Sequence, residues 1–276
     1  MNKQGKIIKQ KSNLYTVLSE GETYECRARG KFRNDFLTPL VGEFVVFDDE
    51  TNYILELLER KNSLKRPSIA NVDAALIVTS VKEPNLSLTL LDRELACISN
   101  ENIEPVICLT KTDLLSSKER KQINKIFAYY KKIGFKVVTN KHLFRLKRII
   151  KDKTVVLTGQ TGAGKSTLIN NLDKKLNLET KEISKALGRG VHTTRHTELF
   201  KIGGAYIADT PGFSSLDLTM SKNKLKELYP EFRFARCKYG DCNHIKESGC
   251  MVKELVELGR INKNRYENYV KFWGEL

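Results

Sequence analysis

No stretch of this 276-residue chain approaches 18 consecutive apolar residues, and none has the charged-then-apolar pattern of a secretory leader. The first absence excludes a membrane-spanning helix on length, and the second excludes export by that route. A soluble, cytoplasmic protein without a membrane partner is expected. Acids are also in short supply: 33 Asp and Glu stand against 48 Lys and Arg, a formal net charge of +15. Such a surplus favours a polyanionic partner. Cysteine is sparse as well. Of six cysteines, Cys26, Cys97 and Cys108 fall singly in strand or helix patterns, which excludes a disulfide framework and agrees with a reducing compartment. The length allows two or three domains.

What is present centres on Gly159-Gln160-Thr161-Gly162-Ala163-Gly164-Lys165-Ser166-Thr167, which fits the phosphate-loop pattern G-x-x-x-x-G-K-[ST]. The β-branched run Lys153–Thr158 before it reads as a buried strand, and Ser166–Leu172 after it reads as the start of a helix. Glycines let successive N–H groups turn inward onto phosphate oxygens, and the helix N-terminus adds partial positive charge. Lys165 is placed to reach the β- and γ-phosphates of a nucleoside triphosphate, and Ser166 to ligate Mg²⁺.

A second buried-strand pattern, Pro105–Leu109, ends in Thr110-Lys111-Thr112-Asp113, close to the N-K-x-D guanine-reading motif of GTPases. Guanine presents N1–H and its N2 amino group side by side, and the Asp113 carboxylate can accept from both. Adenine lacks that donor pair. The Lys111 stem can cover a face of the base. The expected Asn is missing at the first position. Thr110 is shorter and has fewer donors, which puts the grip on the base, or its tie to the phosphate loop, in question.

The third element is Asp209-Thr210-Pro211-Gly212, a D-x-x-G at the end of the apolar run 205–208 and 44 residues after Lys165. Asp209 suits Mg²⁺ through its water shell, and the Gly212 N–H suits a γ-phosphate. Gly188–Thr194 between them is polar and glycine-containing and reads as switch I, with Thr193 or Thr194 closing the Mg²⁺ shell. The motif order is unusual, because the guanine motif precedes the phosphate loop. A circular permutation accounts for it, since loops at the carboxyl ends of parallel strands gather in space whatever their chain order.

Near the C-terminus, Cys237, Cys242, His244 and Cys250 form C-x₄-C-x-H-x₅-C. Three thiolates and an imidazole suit one tetrahedral Zn²⁺, and a full ligand shell makes it structural. The His favours zinc over an iron–sulfur cluster. The segment is poor in apolar residues and is expected to need this staple.

With the permuted order, Gly190-Val191-His192-Thr193-Thr194-Arg195-His196, Asp209–Phe213 and the cysteine cluster, the chain resembles the RsgA/YjeQ family over nearly its whole length. That family comprises circularly permuted GTPases acting in assembly of the small ribosomal subunit. The resemblance implies GTP, Mg²⁺ and Zn²⁺ as ligands, the small subunit with its 16S rRNA as partner, and a monomer. After D-x-x-G most GTPases carry a Gln that orients water, but here Phe213 stands, and a phenyl ring cannot do so. His192 is the candidate replacement, and the family places a His before its switch Thr pair. The alternative is a packing or surface His in a loop.

The fold class expected is multidomain α/β in three parts. Residues 1–66 read as an OB-type β-barrel with five short strands, 67–220 as a permuted P-loop GTPase domain with a mostly parallel sheet, and 221–276 as a zinc-binding helical domain. In the barrel, Arg27, Arg29, Lys31 and Arg33 with Tyr24 and Phe32 suggest a basic, aromatic RNA surface, although residues 1–66 net only +2. Residues 60–68 read as a polar connector. Residues 118–153 hold 13 Lys and Arg against two acids, and the stretch includes an amphipathic helix with Ile123, Ile126, Phe127, Tyr130 and Ile133 along one face. That charge is either a solvated face or a surface for RNA phosphate. Thr139-Asn140 sits where GTPases contact guanine O6, but the match is poor. Two rivals remain at this stage: an ATP-dependent P-loop kinase or ATPase, against which Asp113 argues, and an RNA-binding assembly protein using nucleotide only as a conformational ligand.

Overall fold

The protein is seen in a computed structural model that describes residues 1–30, 32, 38–65, 68–173, 197–208 and 217–276. The chain gathers into two compact units. One takes Met1–Leu76, Lys141–Thr158 and Lys165–Ser214, and the other Ile77–Asn140, Gly159–Gly164 and Ser215–Leu276. Among the described residues no helix is long and apolar enough to cross a membrane.

The first unit contains the expected barrel. Its strands are β1 (Asn2–Lys11), β2 (Leu14–Ser19), β3 (Glu22–Ala28), β4 (Phe44–Asp48) and β5 (Tyr53–Leu57). They run in the order β1-β2-β3-β5-β4, and pairing of β4 with β1 closes the ring. Alternation drives this arrangement: Tyr15 and Val17 of β2 face inward, with Ile7, Cys26, Val45, Phe47 and Ile54 buried around them. Gly5 lies where β1 passes from β4 to β2. A Cβ there would stand 2.5 Å from a methyl of Val17 and 2.8 Å from the Leu18 carbonyl. Past a bulge between Ile7 and Lys9, β1 pairs with Thr197–Ile202, and Lys9 bridges Glu198 at 3.1 Å. That strand turns through Gly203-Gly204 into Ala205–Ala208, as expected of a hairpin, and Ala205–Ala208 lies parallel to Thr154–Thr158.

Two expectations change here. The strand expected to reach Phe32 ends at Ala28, and Phe32 itself is buried. The half-buried Tyr24 sets its ring, tilted by 51°, 5.0 Å from that of Phe47 and accepts a 3.0 Å hydrogen bond from Lys3. These aromatics serve packing, so the aromatic half of the proposed barrel surface is withdrawn. Arg27 and Arg29 are exposed, while Lys31 and Arg33 lie outside the described residues. The stretch expected as a plain connector carries two three-residue strands, Ser63–Lys65 and Ser68–Ala70, paired antiparallel. Leu64, Ile69 and Ala70 give it a buried side, and Arg60 anchors its start on the buried Glu43 carboxylate at 2.5 Å.

In the second unit, the last residues of the strand Ala74–Ser80 lead to the helix Leu88–Asn100, capped by Ser87. The strand Glu104–Thr110 follows, then the helix Ser117–Lys132 with a Ser116/Glu119 capping box, then the strand Lys136–Thr139. The last two strands are parallel, with Thr139 opposite Leu109. Glu104–Thr110 is buried from Val106 onward, as a central parallel strand must be. The helix Ser117–Lys132 buries Phe127 and Tyr130, the face expected, and leaves Lys118, Lys121, Lys125, Lys131 and Lys132 exposed.

The C-terminal residues of this unit are better packed than their sequence suggested. Leu225, Tyr229, Phe232, Val252, Ile261, Tyr269 and Phe272 form a continuous core that includes Ala96 and Cys97 of the helix Leu88–Asn100. The segment expected to be poor in apolar residues thus has a core of its own, and burial of these large aromatic and aliphatic side chains contributes to its stability beside any metal. Beside this core lies a buried ionic cluster. Arg265 bonds Asp92 at 2.6 Å and Glu231 at 2.5 Å, with its guanidinium 4.6 Å from the centre of the Tyr229 ring.

Candidate functional site

The strand Thr154–Thr158 is buried throughout, and the helix Lys165–Leu172 begins directly after Gly164. The turn between them has Gly159, Gly162 and Gly164 at φ of +123°, +79° and +93°. Two of these positions demand glycine. A Cβ on Gly159 would collide with the Val78 carbonyl, and one on Gly164 would lie 3.9 Å from the Thr110 side chain in a conformation L residues avoid. Ala163 is fully buried, its N–H donating to the Gln160 carbonyl at 3.2 Å, while Thr161 and Gly162 form the exposed tip. Lys165, Ser166 and Thr167 thus occupy the first turn of a helix whose N-terminus is suited to anions.

The guanine-motif residues come to this turn despite the chain order. Thr110 is 2 % exposed, and its hydroxyl donates to the Ala163 carbonyl at 2.6 Å. The missing Asn therefore does not cost the tie to the phosphate loop, since a hydroxyl spans the gap. Lys111 adopts the left-handed conformation at φ +56°, and its ammonium donates to the Glu83 carbonyl, which fixes the stem. Thr112–Leu114 form a 3₁₀ turn that leaves the Asp113 carboxylate exposed. Asn140 N donates to the Leu109 carbonyl at 2.9 Å, setting Thr139-Asn140 beside the same strand end. His192, Thr193, Thr194, Asp209 and Gly212 lie outside the described residues.

The cysteine cluster is assembled as its spacing predicted. One ligand atom from each of Cys237, Cys242, His244 and Cys250 falls within 4.8 Å of the others. His244 Nδ1 lies 3.5 Å from Sγ of both Cys237 and Cys250. All six cysteines of the chain are free of disulfides. Three sulfurs and one ring nitrogen so grouped suit a tetrahedral soft or borderline cation, with zinc the best match.

The supports of this cluster carried no sequence signal. The Glu247 carboxylate accepts from the backbone N–H groups of Asn243 and Ile245 at 2.9 Å and of Lys246 at 3.0 Å, closing the loop that carries His244. Burial alone would raise this carboxyl, but the backbone donors outweigh it and hold it at about 2. Tyr266 and Tyr269 donate to the carbonyls of His244 and Asn243 at 2.7 Å. His244 sits at φ +63°, a left-handed conformation these bonds sustain.

The chain matches two family models. Residues 57–219 match the RsgA GTPase, and residues 4–53 match the RsgA N-terminal domain. It is 46 % identical over 99 % of its length to the small ribosomal subunit biogenesis GTPase RsgA of Latilactobacillus sakei, covering 95 % of that protein. Among solved structures it is similar to YloQ, described as a circularly permuted GTPase, at TM-score 0.84 and 37 % identity, covering 100 % of this chain and 95 % of that one. YjeQ from Thermotoga maritima matches at TM-score 0.88 and 34 % identity, covering 100 % of this chain and 99 % of that one. Motif order, barrel, joined loops and these likenesses agree: the chain belongs to the RsgA GTPase family.

Proposed function

We propose that this protein is a GTP hydrolase that binds the small ribosomal subunit through its 16S rRNA and couples hydrolysis to a late step of subunit maturation, after which it or other assembly factors leave. The observation that carries the nucleotide assignment is the Thr110–Ala163 hydrogen bond of 2.6 Å, which locks the guanine motif to the phosphate loop. The relatives' names carry the assignment of partner. It acts as a monomer in the cytoplasm, with residues 1–66 as RNA-binding barrel, 67–220 as GTPase domain and 221–276 as zinc-binding helical domain.

In this reading the Asp113 carboxylate accepts from guanine N1–H and N2, with Lys111 along the base and Thr110 and Thr112 shaping the turn. The backbone of Gly159–Gly164 cradles the phosphates, Lys165 neutralises charge on the β- and γ-groups, and Thr167 extends the first helical turn beneath them. Ser166, Thr194 and Asp209 would hold Mg²⁺, which would supply positive charge to offset that of the phosphates. Ser166 fits this role, since it stands in the first turn of the helix that follows the loop. His192 orients the attacking water, Thr193 and Thr194 close switch I, and Gly212 senses the γ-phosphate. Phosphoryl transfer of this kind is mostly positioning and electrostatics, so an unordered switch I gives slow turnover. Cys237, Cys242, His244 and Cys250 hold one structural Zn²⁺.

The test is turnover of GTP and ATP with and without purified small subunits, with His192→Ala alongside. Slow GTP turnover that rises with subunits and collapses in the variant is expected. Preference for ATP would overturn the role of Asp113. GTP turnover indifferent to subunits would leave a protein that uses nucleotide only as a conformational ligand, or one whose partner lies elsewhere.

A further inference from the structure

The Asp113 carboxylate stands on a short turn with no buried residue of its own, and Leu114 beside it is 41 % exposed. Within the turn the Leu114 N–H donates to the Lys111 carbonyl at 3.1 Å. From outside, two cations reach the carbonyls that bracket Asp113. The Arg120 guanidinium, in the first turn of the helix Ser117–Lys132, donates to the Thr112 carbonyl at 3.2 Å. The Lys82 ammonium, just beyond the strand Ala74–Ser80, donates to the Leu114 carbonyl at 3.3 Å and bridges the Glu119 carboxylate at 3.1 Å. The second Glu119 oxygen accepts from the Ser116 N–H at 2.7 Å, so Lys82 is tied to the helix that supplies Arg120. Hydrogen bonds from Ser116 and Lys82 hold the Glu119 carboxyl at about 2, which keeps the bridge charged at neutral pH. Lys82 is itself fixed. Its carbonyl accepts from the Ser80 hydroxyl at 2.7 Å, and the Val81 N–H before it donates to the Thr110 carbonyl at 3.3 Å. Its neighbour Glu83 offers the carbonyl that Lys111 engages, and Pro84 follows beside the phosphate loop, its Cδ 3.8 Å from where a Cβ of Gly162 would stand.

A half-exposed ion pair adds little to stability by itself. Its position bears on recognition instead. A carboxylate that reads two adjacent donors must present both oxygens to them at once, and a turn free to tilt loses one of the two bonds. An exposed three-residue turn does not supply that rigidity alone. Lys82 and Arg120 do, because each carbonyl about which the turn would pivot is held by a charged donor. We propose that Lys82, braced by Glu119, is a positioning residue for guanine recognition: with Arg120 it sets the Asp113 carboxylate against the N1–H and N2 amino group of the base. None of the three belongs to the guanine motif, and Lys82 lies 32 positions before the carbonyl it holds. This role rests on the reading of Asp113 as the guanine acceptor and adds what fixes it there.

The experiment uses the full chain and measures displacement of a fluorescent GDP analogue by GDP and by IDP, whose base lacks the N2 amino group. The ratio of the two affinities reports the second hydrogen bond to Asp113, because the phosphate contacts are common to both. Wild type is expected to favour GDP by about ten- to a hundredfold. Lys82→Met is expected to lower that ratio by about five- to tenfold, while Lys82→Arg, which keeps a charged donor, retains most of it. Glu119→Gln removes the brace and leaves the Lys82 donor, so a smaller fall of about two- to fivefold is expected; it decides the case if Lys82→Met does not fold. Asp113→Ala is the reference: it should abolish the preference, and adding Lys82→Met to it should change the ratio no further. Lys82→Met and Glu119→Gln proteins that bind both nucleotides more weakly with the ratio intact would overturn the proposal and reduce the pair to a clip at the helix start. A ratio that falls again when Lys82→Met is added to Asp113→Ala would overturn it too, since Lys82 would then act by another route. An unchanged ratio in Asp113→Ala alone would bring down the reading of Asp113, and the role of Lys82 with it.

Discussion

The Thr110 hydroxyl donates to the Ala163 carbonyl at 2.6 Å, although 53 positions separate the two residues. Both groups are buried, so the bond is not exchanged for water and its loss leaves a carbonyl without that donor. Thr110→Val keeps shape and removes the O–H. It is expected to cost about 1–3 kcal/mol, read as roughly five- to a hundredfold weaker binding of GDP and GTP in a fluorescent-nucleotide titration. Guanine over adenine preference should stay, because Asp113 is untouched. Thr110→Ser should bind like wild type, and a Val variant that also did so would show the tie to be dispensable.

Asp113 is exposed in the middle of the 3₁₀ turn, free to meet a base edge. A carboxylate offers two acceptors to the two donors of guanine. In Asp113→Asn one acceptor becomes a donor, which matches xanthine, whose edge pairs an N–H with a carbonyl. GTP affinity is expected to fall about a hundredfold and XTP affinity to exceed it, since hydrogen bonds to a charged group contribute about 1.5–3 kcal/mol each. Competition between the two nucleotides checks this, and equal loss for both would remove Asp113 from base recognition.

What the sequence made legible, and what it hid, follows from how far each interaction reaches along the chain. The barrel strands alternate residue by residue, and the phosphate loop and cysteine cluster are short spacings, so local pattern sufficed for each. Thr110 was visible as a departure, but its consequence was not. Only the fold shows that the Ala163 carbonyl lies within reach of a side chain shorter than Asn. Phe32 read as a surface aromatic because its neighbours are basic, yet tertiary packing buries it. The three-residue strands at 63–65 and 68–70 are too short to show a period. Glu247 gave no signal because its partners are backbone N–H groups, which every residue but proline possesses.

Glu247 is expected to matter for the metal without ligating it. Glu247→Ala would free three N–H groups and loosen the loop between His244 and Cys250. Supports of this kind set ligand orientation, and their loss costs about 10- to 100-fold in metal affinity. Competition with a chromogenic chelator measures it, and unchanged affinity would make the carboxylate irrelevant to the site.

Thiol labelling separates the two classes of cysteine. Burial pushes the Cys97 thiol to about 11 and the Cys108 thiol to about 12, and neither has a role in the cluster. Only the thiolate reacts, so both stay inert at neutral pH in the folded protein. After chelation, alkylation is expected at Cys237, Cys242 and Cys250 and not at Cys26, Cys97 or Cys108. Labelling of Cys97 and Cys108 along with the three cluster thiols would mean that metal removal unfolds the whole second unit, contrary to the core built on Tyr229, Phe232, Tyr269 and Phe272.

Arg265 joins residues that no sequence period relates: Asp92 lies 173 positions away and Glu231 lies 34 away. Tyr130 donates to Asp92 at 2.8 Å and Asn268 does so at 2.7 Å, so the Asp92 carboxylate is shared among three donors. Taking such charges out of water is costly, and their attraction repays it only while every partner is present. Asp92→Ala is therefore expected to cost about 3–5 kcal/mol, read as a lower urea midpoint, because Arg265 keeps a single counter-charge and two further donors are orphaned. Replacing the whole triad by apolar residues of similar size, as in Asp92→Leu with Glu231→Met and Arg265→Met, is expected to recover most of that loss. The energies would then be far from additive, as they must be for groups in one network. If the triple variant is instead less stable than Asp92→Ala, the buried ions contribute net stability, and the cluster is a true clamp of the helix Lys263–Glu275 onto the helix Leu88–Asn100 rather than a device that selects their register.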